Sequence, residues 1–169
     1  MPRFFVAASN IFGGVAYMDG KDAEHLKVPQ ENLYRALLIS NLIAIYQKHF
    51  IGSLSAFCGA VTAAAGCGAA ITWLHGGTCE NICDTIANTV ANVGGMVCDG
   101  AKASCAAKIA SAVEAGILGM EMFRQGSQFV GGDGIVTKGV ENTIRNVGRL
   151  AKQGMAGTDK EIIDIMISC

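Results

Sequence analysis

The 169-residue chain is poor in aromatic residues, at 7%, and has only two prolines, Pro2 and Pro29. So few rings leave the core to aliphatic and small side chains. After residue 29 no proline blocks a helix. Neither sign of charge is in excess, with a formal net charge of −1. That removes the electrostatic case for nucleic acid or for an anionic membrane surface. No basic segment leads into an apolar run and a small-residue cleavage site, so no secretory signal is read. No Cys-x-x-Cys occurs, which argues against a zinc ribbon or a thioredoxin-like pair. Past residue 20 no segment alternates with period two, which argues against strands.

Small residues and cysteines are what the chain has in quantity. It is 51% hydrophobic, with 22 glycines and seven cysteines. The length fits one domain with a full core. The reading is an all-α fold: a single compact helical domain around a buried Ala/Gly-rich central helix. Residues 54–74, LSAFCGAVTAAAGCGAAITWL, carry no charge and hold Cys58 and Cys67. Such a segment must be buried in protein or in lipid. Residues 93–110, VGGMVCDGAKASCAAKIA, echo it with Cys98 and Cys105.

In chain order, residues 1–20 are read as a strand–turn–strand piece or a loosely packed arm, within a poorly assigned arm over 1–25. Residues 29–51 carry a broad apolar stripe at helical spacing, from Leu33 to Phe50. Residues 54–74 follow as a buried helix that Gly66-Cys67-Gly68 could interrupt, ended by Gly76-Gly77. Thr78 is placed to cap a third helix, with Glu80 in its first turn. A fourth helix is expected from Asp99 to Arg124, its buried face running from Ala106 through Ile109, Val113 and Ile117 to Phe123. Residues 137–154 are amphipathic, with Val140, Ile144, Val147 and Leu150 facing in. Thr158 and Glu161 form the pattern of a capping box for a last helix over 159–168.

The cysteines are the first candidates for chemistry. Cys79 and Cys83, four apart, share a helix face, and Cys98 and Cys105 sit near one face if both are helical. Without a secretory signal, reduced thiols in the cytoplasm are the expectation, and metal or cluster ligation is the sharper option. For Cys67, Cys105 and Cys169 the plain reading is a small buried hydrophobe. A Cys58–His75 nucleophile pair is conceivable only if geometry joins them; His25, His49 and His75 are otherwise scattered. Asp99 and Lys102 follow Cys98 in CDGAK. They read either as a helix-start aspartate with a solvated lysine, or as charged groups serving a site.

The words LSAFCGAVTAAAGCGAAITWLHGG, NTVANVGGMVCDGAKASCAAKIASAV, GIVTKGVENTIRNVGRLAKQGM and TDKEIIDIM, with RALLISNLIAIYQKHF before them, resemble one known family. It is the L-cysteine desulfidase-like family, related to the iron–sulfur L-serine dehydratase alpha chain. The resemblance covers residues 26–167, read as the C-terminal part of such a protein, within a helical domain over 26–169. It implies a [4Fe–4S] cluster held by three cysteines, with one iron left open for substrate. It implies α,β-elimination of a small amino acid, L-cysteine or L-serine, to pyruvate and ammonia. By motif, Cys58 and Cys98 are the implied cluster ligands; Lys102, read from its place beside Cys98 and not from the resemblance, is the candidate catalytic group, for the substrate carboxylate or a proton transfer.

Two departures accompany the resemblance. Family chains are longer and carry a further N-terminal cysteine, whereas no cysteine precedes Cys58 here. Residues 1–24 lack the family's Ser/Gly/Asn-rich substrate-binding word. The expectation is an incomplete lyase, with Cys67, Cys83, Cys105 or another chain supplying the third ligand. An N-terminal domain or second chain would complete the site, and a homo-oligomer is expected. Three other readings stand beside it: an inactive helical remnant with structural cysteines, a membrane-embedded helical protein, and a thiol-based enzyme.

Overall fold

The computed structural model describes residues 24–53, 55–100 and 102–168. The arm expected over 1–20 lies outside the described residues, as does Cys169. Among the described residues the named α-helices follow in this order: α1 (Gln30–Ile51), α2 (Gly59–Leu74), α3 (Cys79–Val93), α4 (Ser104–Arg124), α5 (Val140–Arg149) and α6 (Ala156–Ser168). A π-helical turn, Leu150–Gly154, joins the last two. The all-α expectation holds. The one β-type feature among the described residues is an isolated antiparallel bridge between Phe57 and Val97.

Helix α2 is the centre. Every residue from Ala60 to Thr72 is buried, and α1, α3 and α4 all pack on it. Its small residues make this possible by letting neighbouring backbones approach. A Cβ at Gly66 would collide with the Ser40 carbonyl of α1. One at Gly68 would stand 3.0 Å from Gly116 Cα of α4. Each glycine costs a helix about 1 kcal/mol relative to alanine, and the close crossings are what they give in return. Cys67 between them is fully buried in the core, and the helix runs through the triad uninterrupted.

Polar groups tie the crossings together. Buried Gln47 of α1 donates through Nε2 to the Thr62 carbonyl, 3.3 Å away. Thr72 and Thr85 hydroxyls meet at 3.0 Å between α2 and α3. Buried Asn88 of α3 donates to the Gly119 carbonyl and accepts the Phe129 N–H. These bonds satisfy groups that would otherwise be costly to bury.

Several boundaries differ from the sequence reading, each for a visible reason. Helix α2 starts at Gly59, because residues 56–58 pair with 96–98 instead of coiling. Helix α4 starts at Ser104 and not at Asp99, so Cys98 precedes it and does not share a helix face with Cys105. The buried face of α4 is Ala112, Val113, Ala115, Gly116, Gly119 and Met120; Ala106 is exposed, and Ile117 is 37% exposed. Helix α6 starts at Ala156, with Thr158 inside it, because the π turn feeds straight into it through Met155 N–H to Leu150 O and Asp159 N–H to Met155 O. The Thr78 cap is as read: its hydroxyl accepts the Asn81 N–H, and Asn81 closes the capping box. No helix among the described residues is long and apolar enough to cross a membrane, which removes the support that residues 54–74 gave to that reading.

Candidate functional site: a cysteine pair flanked by lysines

Two loops that precede helices are stitched together at the head of α2. The Cys58 N–H donates to the Met96 carbonyl at 3.0 Å, and the Cys98 N–H donates to the Ala56 carbonyl at 2.6 Å. Ser55 fixes the first loop from behind, its hydroxyl accepting the Phe57 N–H and donating to the Ala151 carbonyl at 2.9 Å. This brings Cys58 and Cys98, forty positions apart in sequence, close enough for their thiols to interact. Cys58 is buried and Cys98 half-buried, and no disulfide joins them.

The pair shares a proton unequally. Cys98 is drawn down to about 6, first because it accepts a hydrogen bond from the Cys58 thiol, then because the Gly100 N–H and the Lys108 ammonium favour its thiolate. Cys58 is driven up, first by its bond to Cys98 and then by burial, against the Ala60 N–H at the head of α2. The pair is therefore poised with one proton on the Cys58 side.

Two lysines face these thiols. Lys108 of α4 donates to the Val97 carbonyl at 2.9 Å and to the Asp99 carboxylate. It thereby clamps the residues on either side of Cys98. The carboxylate raises the Lys108 amine, and Lys108 holds Asp99 below the usual carboxylate range. Lys48, near the end of α1, is half-buried, and burial lowers its pKa against the attraction of Cys98 and Cys58. Cys105 adds a third sulfur to the neighbourhood. Its thiol donates to the Gly100 carbonyl at 3.4 Å, and Gly100 is the residue whose N–H supports Cys98.

Sequence reasoning named Cys58, Cys98 and Lys102 and missed Lys48, Lys108 and the placement of Cys105. Lys102 is exposed at the rim, where its charge helps hold down Asp99. The missed residues did carry a signal. Cys105, Lys108, Ala112 and Gly116 follow one another at three- and four-residue steps, and the last two are core. An inward face drawn from Gly116 backwards runs through both missed positions. The Cys58–His75 pair does not form: the two cap opposite ends of α2, about 26 Å apart at 1.5 Å per residue.

The donor set suits an iron–sulfur group in kind: two thiols in contact, a third nearby, and ammonium groups to offset thiolate charge. Among the described residues no three His, Cys, Asp or Glu side chains converge tightly enough for a single metal ion. A cluster asks for something else, because its ligand sulfurs sit on separate irons.

Residues 13–164 match the sequence profile of the serine dehydratase alpha chain. The chain belongs to that family. It is 59% identical over 146 residues to a UPF0597 protein of Desulfitobacterium hafniense, covering 86% of this chain and 34% of the relative. It is 59% identical over 143 residues to one of Lachnoclostridium phytofermentans, covering 85% and 34%. With one of Treponema denticola the identity is 51% over 145 residues, covering 86% and 34%. The chain thus spans about a third of the length of these relatives. No solved structure matches it.

Proposed function

We propose that this chain forms the cluster-bearing part of an iron–sulfur amino-acid lyase of the serine dehydratase or cysteine desulfidase type, acting in the cytoplasm. The observation that carries the reading is the Cys58–Cys98 contact, made by backbone pairing and flanked by Lys48 and Lys108, in a chain of this family. Cys58 and Cys98 are the assigned ligands, and Cys105, bonded to the Gly100 carbonyl two residues from Cys98, is assigned as the third. Once bound, a [4Fe–4S] cluster with an open iron supplies a Lewis acid for the departing hydroxyl or thiol of a small amino acid.

The chain's own residues prepare that site. Cys98 offers a thiolate near neutral pH, so of the contacting pair Cys58 is the one with a proton to lose on ligation. Lys108 fixes the Cys98 loop and, with Lys48, offsets the negative charge that the sulfurs gather. Lys102, at the rim, is assigned to the substrate carboxylate or to a proton transfer. An elimination also needs a base at the α-carbon and groups that orient the amine. We assign these to sequence that the longer relatives have and this chain does not span.

The test is pyruvate release from L-cysteine and L-serine under anaerobic conditions, with iron and sulfide supplied. This chain alone should show little turnover. The full-length Desulfitobacterium hafniense relative should show robust turnover, lost when the cysteines matching Cys58 and Cys98 become alanine. Turnover by the relative that survives both substitutions would overturn the reading.

A further inference from the structure

Helix α1 has two unlike faces. Ala36, Ser40, Ala44, Gln47 and Ile51 are buried against the rest of the fold. The opposite face shows Tyr34, Leu38, Leu42 and Ile45 at 55%, 61%, 62% and 59% exposure. Their spacing of four, four and three residues makes one unbroken ridge, about 17 Å long at 1.5 Å per residue. Isolated exposed hydrophobes need no explanation, but an aligned set is the mark of a covered surface. The ridge has a polar edge in the Glu31–Arg35 ion pair and Asn41. Its last member, Ile45, lies one turn before Lys48, which faces the cysteine pair.

We infer that this ridge is the docking surface for the part of the fold that the relatives carry beyond the matched region, on the same polypeptide or on a separate one. Two observations choose that occupant. The matched stretch is only about a third of each relative, so two-thirds of their length must be packed somewhere. The ridge also ends one turn before Lys48, which interacts with both thiols, so whatever covers it is carried toward the candidate site. The apolar residues of α1 then supply the seam, and Lys48 stands where the two parts meet.

The test compares one position in two proteins. Leu42→Cys is made in this chain, and the same change at the matching position of the Desulfitobacterium hafniense relative. Maleimide labelling of that cysteine is followed by peptide mass spectrometry and normalised to the rate in denaturant. The inference expects labelling in the relative to be slower by roughly tenfold or more, as covering a thiol requires. A photo-cross-linker on the same thiol in the relative should capture peptides from outside the matched 146 residues. Equal labelling rates would overturn the inference, and so would cross-links only to the matched region of a second copy. Tyr34→Cys, at the other end of the ridge, repeats both measurements if circular dichroism shows that Leu42→Cys unfolds either protein. Neither measurement needs a bound cluster or turnover, so the outcome is independent of the proposed lyase activity.

Discussion

Two pairs of interacting thiols stand among the described residues, and they contrast. Cys58 and Cys98 come from distant loops, are joined by backbone pairing and face Lys48 and Lys108. Cys79 and Cys83 are neighbours on the first turns of α3, in a groove of about 810 Å³ that Glu80, Asp84 and Glu141 also line. The first pair yields a thiol drawn down to about 6. In the second, Cys83 is pushed up to about 11, by burial first and then by Cys79 and the nearby carboxylates. The same two side chains in contact thus give a thiolate beside ammonium groups and a held proton beside carboxylates. Proximity alone does not make a ligand pair; which thiol accepts the shared hydrogen bond and how deeply it is buried act first, and the surrounding charge adds to them.

The largest effect should come from breaking the tertiary frame that only the first pair needs. Gly66→Ala drives a methyl into the Ser40 carbonyl, where backbone must shift. A loss of about 2 kcal/mol is expected, as for overpacked cores, read as a lowered urea midpoint. Lys48 should move with α1, disturbing Cys98 while leaving the Cys79–Cys83 contact in place. An unchanged midpoint would mean that α1 and α2 do not cross so closely.

Next comes Lys108→Met, which frees the Val97 carbonyl and Asp99. The cost should be about 1 kcal/mol, since the ion pair is partly exposed. The thiolate absorbance step near pH 6 should move up toward the ordinary thiol range, with the Cys83 step near 11 unmoved. In the intact protein Cys98 and Cys83 bend the stability curve in opposite directions, and Cys58, raised like Cys83, acts in the same sense as Cys83. Cys98 has a folded pKa below its ordinary value, so its contribution is present above about pH 9 and is lost as pH falls through 6. Cys83 has a raised one, so its contribution is present below about pH 9 and is lost as pH rises through 11. A single thiolate step near the ordinary value in the folded chain would erase the contrast.

The mirror experiment is Thr78→Ala. It removes the cap that starts α3 and should cost about 1 kcal/mol or less, loosening Cys79 and Cys83 through fraying of the first turn. Alkylation of Cys79 should rise while that of Cys98 stays constant.

The second pair was legible in the sequence and the first was not, for a physical reason. Cys79 and Cys83 lie on one helix, where a spacing of four fixes their neighbourhood before any tertiary structure forms. The helices themselves were equally legible, because glycine pairs and Thr78 punctuate them locally. The contact of Cys58 with Cys98 depends on a two-residue bridge between loops, which has no periodicity to read; only the resemblance to a family paired them. The same bridge explains why α2 and α4 begin later than their apolar runs suggest. Lys108 went unread because its target, the Val97 carbonyl, is a backbone atom created by that bridge.

The most direct measurement is anaerobic iron and sulfide reconstitution of four variants, followed by bound-iron analysis and visible and Mössbauer spectra. Cys79→Ala and Cys83→Ala should retain the cluster signature of the unsubstituted chain. Cys58→Ala and Cys98→Ala should each lose it. A cluster that survives in Cys58→Ala and Cys98→Ala, or that disappears with Cys79→Ala or Cys83→Ala, would contradict the assignment of the lysine-flanked pair as the cluster site.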